Sequence, residues 1–197
     1  MWFLIKKEFR DFLHSYKSIL IVMLSISVPI LYLQFKKESL PTILFFLFVQ
    51  MSVSQFIYDS CNNDKENGGN LVIINHGYNF FEYLFSKLIF AFIITLIILL
   101  SSIPFVFKTF HLLDYFLLIF SVIYSCFLMF IGNAISRGEE LATATILTII
   151  MIFFLYITFL IPYNFLKILF SFFITSLLGV IGYKIYNSLS FRSYISN

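Results

Sequence analysis

The chain has 197 residues, 60% of them hydrophobic and only 12% charged, with a formal net charge of +3 and a mean hydropathy of +0.96. A soluble domain carries about a quarter charged residues, so lipid rather than water must cover this surface. That excludes a soluble globular domain, and no nucleic-acid partner is expected.

Residues 2–16 read as an amphipathic helix. Ile5, Phe9, Phe12, Leu13 and Tyr16 fall at helical spacing on one side, and Lys6, Lys7, Arg10, Asp11 and His14 on the other. Such a helix lies along a membrane surface with its rings down. The apolar run after Lys17 ends in Leu33-Gln34-Phe35-Lys36-Lys37 without a small-residue cleavage site, so the first span is expected to be retained.

Six apolar stretches follow, at residues 18–35, 40–58, 88–107, 115–135, 141–163 and 168–187. Each approaches the roughly 20 residues a transmembrane helix needs. Runs such as Leu88-Ile89-Phe90-Ala91-Phe92-Ile93-Ile94 are apolar at every position, which favours helices over the two-residue alternation of a barrel. The expected fold is one all-α integral membrane domain over residues 1–197, an interfacial helix followed by six transmembrane helices. If the N-terminus is cytoplasmic, nine basic residues lie inside (Lys6, Lys7, Arg10, Lys17, Lys65, Lys87, Arg137, Lys184, Arg192) and four outside (Lys36, Lys37, Lys108, Lys167). That bias places both termini in the cytoplasm. Residues 59–77 then form the one sizeable internal polar gap, and residues 136–140 a short cytoplasmic turn.

The chemistry visible in the sequence is sparse. There is no phosphate-binding Gly-x-x-x-x-Gly-Lys-Ser/Thr loop, so the chain is not expected to hydrolyse ATP. His14, His76 and His111 sit in separate segments without ligand spacing, and no metal site or catalytic set is expected. Cys61 and Cys126 read as free thiols. No Asp, Glu, Lys or Arg occupies the middle third of a span, which argues against a proton-driven carrier. Uncharged polar residues do occur within the spans. Thr143, Thr145 and Thr148 read as helix-to-helix hydrogen-bonding groups, as do Ser52 and Ser54. Gln50 and Gln55 fit either that role or a partly polar path. Ser171, Thr175, Gly179 and Gly182 form a small-residue packing stripe on the last span.

The polar gap reads Asp64-Lys65-Glu66-Asn67-Gly68-Gly69-Asn70, then Leu71-Val72-Ile73-Ile74-Asn75, a turn at His76-Gly77, then Glu82 and Ser86-Lys87-Leu88. This segment resembles the signature of type 2 ABC transporter permeases, the membrane subunits of many bacterial exporters. Gly69 stands where that family usually has Thr, Gly77 where Pro is common, and Phe80 where Arg is common. The resemblance implies a multi-pass protein of the bacterial cytoplasmic membrane that pairs with a second permease subunit and docks on a separate ATPase, which would hold the ATP and magnesium. It also implies a coupling segment around residues 59–84. Asp64, Lys65, Glu66, Asn67, Gly68, Asn70, Asn75, His76 and Glu82 would contact the ATPase there, and Arg137, Glu139 and Glu140 would make a second contact.

Three readings follow. The first is half of an export pathway for an amphipathic peptide, lipid or toxic compound, with Gln50, Gln55, Tyr124 and Tyr156 as pathway residues and Phe48 and Phe153 among the available rings. A haem-exporter-type permease is a variant ranked lower, since no external histidine pair is present. The second is a stand-alone membrane immunity or binding protein. An intramembrane enzyme is disfavoured because no convergent catalytic pair is visible.

Overall fold

A computed structural model describes residues 2–36, 41–66, 77–106, 111–135 and 140–195. All the elements within them are helices: α1 (Trp2–His14), α2 (Tyr16–Lys36), α3 (Thr42–Glu66), α4 (Phe80–Val106), α5 (Leu112–Ile135), α6 (Glu140–Leu160) and α7 (Asn164–Ile195). Five of these, α2, α3, α4, α5 and α7, are long and apolar enough to cross a membrane. In α6 the apolar helix whose side chains are described is the shorter stretch Thr145–Leu160.

Local chemistry sets several helix starts. Ser15 separates α1 from α2, and its hydroxyl accepts the Ser18 backbone N–H at 3.3 Å as an N-cap. Helix α4 opens with a capping box. The Glu82 N–H donates to the Asn79 side-chain oxygen at 2.9 Å, and the Asn79 N–H donates to the Glu82 carboxylate at 3.0 Å. Gly77, just before it, holds φ at +74°. Proline is locked near −65°, so it cannot take this conformation.

Contacts between helices give their directions. Ser25 of α2 meets Ser52 of α3 at 2.7 Å, while Ser15 and Ser18, further back in the chain, meet Asp59, further on, so α2 and α3 run antiparallel. Helix α7 runs parallel to α5, with Phe172 against Phe120 and Gly179 against Phe127. Phe80, Phe130 and Tyr186 cluster with ring centroids 5.6–6.4 Å apart, and the Tyr186 hydroxyl donates to the Tyr78 carbonyl at 2.8 Å. The start of α4 and the late turns of α5 and α7 therefore share one end of the bundle.

Helices α3 and α5 form the centre, with 56% and 67% of their spans buried, against 24% for α2 and 22% for α7. The core is Phe45, Phe46, Val49, Val53, Phe56 and Ile57 of α3 packed with Ala91, Ile94 and Ile98 of α4 and Val122, Cys126 and Met129 of α5. Lipid tails are as apolar as these side chains, so close packing and polar contacts must hold the helices together. Small residues allow the close approach. A Cβ on Gly132 would lie 2.0 Å from Leu147 of α6, and one on Gly182 would lie 3.2 Å from the Phe80 ring.

Several helices outrun the spans read from the sequence: α4 starts at Phe80 rather than 88, and α7 runs from Asn164 to Ile195 rather than 168–187. The second span was expected to end at residue 58, but α3 continues for two more turns to Glu66. Hydropathy ends where the polar residues begin. The helix continues because Asp59, Ser60 and Asp64 find partners on α1, α2 and α4.

Candidate functional site

Those two extra turns of α3 carry a buried ionic cluster. Its centre is Lys87, in the second turn of α4, with its side chain fully closed off. The ammonium donates to Glu8 of α1 at 3.0 Å, to Asp64 of α3 at 2.9 Å, and to the Ser60 hydroxyl. An ammonium has three donors, and all three are used. The Ser60 hydroxyl donates in turn to the other Glu8 oxygen, and the Tyr83 hydroxyl donates to Asp64 at 2.9 Å. The ammonium also stands 4.9 Å from the centroid of the Tyr83 ring, one turn earlier on α4.

Lys7 closes the cluster from α1. Its nitrogen lies 2.6 Å from the second Asp64 oxygen, 2.6 Å from Asp11 and 3.6 Å from Glu8. Burial and the neighbouring Lys87 charge pull the Lys7 pKa down. Glu8, Asp64 and the Asp11 hydrogen bond more than offset them, and the ammonium is held above its ordinary 10.5. Two cations and three carboxylates are thus joined across α1, α3 and α4.

A second polar cluster lies one turn back on α3. The Asp59 carboxylate accepts from Ser15 at 2.6 Å, Ser18 at 3.0 Å and Gln55 at 2.8 Å. The α1–α2 junction is therefore fastened to α3 at Asp59 as well as Asp64. Phe12 and Phe9 of α1 rest on Phe90 of α4, with centroids 5.4 and 6.0 Å away.

Isolated charges this deep among apolar helices are costly, and a pair is tolerated only when its geometry and remaining hydrogen bonds are good. Here they are. The arrangement is a clamp that holds α1 and the two helix ends flanking residues 67–76 as one body. Among the described residues, no group of three His, Cys, Asp or Glu side chains is placed to hold a metal ion.

The residues singled out from sequence are dispersed. Asp64 faces inward and belongs to the clamp, so it is not on an exposed rim. Lys65 is exposed. Glu66 and Glu140 have described backbone within α3 and α6. Asn67, Gly68, Asn70, Asn75, His76, Arg137 and Glu139 lie outside the described residues. Glu82 is half-buried and caps its own helix. Gln50 and Tyr124 are both buried and share a hydrogen bond in the core. Gln55 is held by Asp59, and Tyr156 is 53% exposed on α6. Within one chain these four do not converge on a single path.

Glu8, Ser60 and Tyr83 are cluster members that the sequence does not single out, and Lys87 reads there only as a residue opening the third span. On the helical wheel, Leu4, Lys7, Glu8, Asp11 and Ser15 make a third face of α1, between the rings and the outward cations. A carboxylate there, with Lys87 and Tyr83 one turn apart at the head of a span, was the available signal. No family model, curated protein or solved structure matches this chain.

Proposed function

We propose that the chain is the membrane-spanning subunit of an ATP-driven exporter, forming half of a pathway for an amphipathic substrate and moved by a separate ATPase. On this reading it crosses a bacterial cytoplasmic membrane six times, with α6 as the fifth span and both termini inside. It works as a homo- or heterodimer.

The observation that carries the proposal is the Lys87–Glu8–Asp64 clamp. Residues 67–76 connect two helices that are locked to each other and to α1 at their ends. A force applied to that segment by a docked ATPase would displace α1, α3 and α4 together, as rigid-body switching requires. The same end of the bundle carries the late turns of α5, which lead into residues 136–139. Both expected contact segments thus start from one end.

Co-purification tests the proposal. The chain captured by an affinity tag from its native membrane should retain an ATPase that carries a phosphate-binding loop. Exchanging the charges with Lys65→Glu and Glu66→Lys should release the ATPase while the chain stays in the membrane. Unchanged capture by the exchanged variant would remove the coupling assignment. Failure of the wild-type chain to hold any ATPase would favour the stand-alone immunity protein.

A further inference from the structure

The exposed charge on α1 is all of one sign. Its two carboxylates, Glu8 and Asp11, turn toward the bundle and are held by Lys87 and Lys7. Lys7 is itself committed to Asp64 and Asp11. Lys6 and Arg10 remain on the outside, joined by Lys17 at the start of α2. Beside them Trp2, Phe9, Leu13 and Tyr16 are each more than half exposed. The Lys6 nitrogen lies 5.8 Å from the centroid of the Trp2 ring, so the cationic edge adjoins the aromatic one.

We infer that α1 and the first turn of α2 form a docking face for anionic phospholipids. Lys6, Arg10 and Lys17 meet the headgroup phosphates, and Trp2, Phe9, Leu13 and Tyr16 sit at the top of the acyl chains. Internal pairing removes both acids from this surface, so the face is more cationic than the composition of α1 suggests. A strip of cations beside a strip of rings fits a plane that is anionic above and apolar below. The same clamp ties this face to α3 and α4, so the lipid that holds α1 also holds the ends of two spans. The inference requires membrane embedding only and does not depend on the exporter reading.

Trp2 is the chain's one tryptophan, so its fluorescence reports α1 alone. The full-length protein is placed in lipid vesicles free of any other protein, made of phosphatidylcholine with a minor share of phosphatidylglycerol, and bromine is carried on the acyl chains of one lipid or the other. Brominated phosphatidylglycerol should quench Trp2 at least about twofold more steeply per mole fraction than brominated phosphatidylcholine. The triple variant Lys6→Gln, Arg10→Gln, Lys17→Gln should equalise the two slopes, while Lys6→Arg with Lys17→Arg should keep the difference. Equal slopes in the wild type, or a difference that persists in the neutral variant, overturns the inference. So does quenching by neither lipid, which would place Trp2 against protein or water.

Discussion

Glu8 of α1 and Lys87 of α4 are 79 residues apart in the chain and 3.0 Å apart in space, with neither side chain open to solvent. Their pairing makes α1 a fixed part of the bundle. Removing Lys87 leaves three carboxylates facing Lys7 alone. Lys87→Met should destabilise the fold by about 3–5 kcal/mol, measured by unfolding in mixed detergent. Adding Glu8→Gln and Asp64→Asn should recover most of that loss, because the orphaned charges go too. A fully additive triple variant would show that the three groups do not act as a unit.

Gly132 sets how closely α5 and α6 approach, since an added Cβ would lie 2.0 Å from a Leu147 methyl. Gly132→Ala should cost about 1–3 kcal/mol through overpacking, and Leu147→Ala should relieve the greater part of it. Thermal unfolding of both single variants and the double decides this. An unaltered midpoint in Gly132→Ala would mean the helices are not packed this closely.

Lys7 gives a pH prediction with a definite sign. Its folded pKa lies above the ordinary 10.5, so its stabilising contribution is complete below the unfolded value. That contribution fades as pH rises through the higher folded value. The stability difference between wild type and Lys7→Gln should be flat across neutral and mildly alkaline pH. It should shrink only above 10.5. A difference that already changes near neutrality would contradict the Asp64–Lys7–Asp11 arrangement.

Topology is best read from Lys65, which is exposed at the end of α3. Cys61 is only 2% exposed and is a poor site for labelling. With Cys61 and Cys126 changed to alanine, Lys65→Cys should react with an impermeant thiol reagent in inverted vesicles and stay silent in intact cells. Labelling from outside would reverse the proposed orientation and, with it, the ATPase contact.

Much of the fold was legible in the sequence because hydropathy and helical spacing are local. The apolar cores of α2, α3, α4, α5 and α7 and the amphipathic α1 came from residue order alone. The clamp did not, because pairing is a tertiary event. A scan that ends each span at its first charge places Asp64 and Lys87 in water, since nothing near them in the chain reveals that they neutralise each other. Glu8 escaped notice for the same reason, its partner being far along the chain. The separation of Gln50 and Tyr124 from Tyr156 depends on which face of each helix is inward, and near-uniform hydrophobicity hides that in α3 and α6.

The order in which the clamp's members are synthesised has its own consequence. Glu8, Asp11 and Asp64 all leave the ribosome before Lys87, with Lys7 as the one cluster cation among them. A nascent chain halted between α3 and α4 therefore carries three of the cluster's carboxylates against Lys7 alone. Lys87 arrives only with α4 and cancels one of those charges, so the clamp can close, and α1 can settle against the bundle, only after that helix has been made.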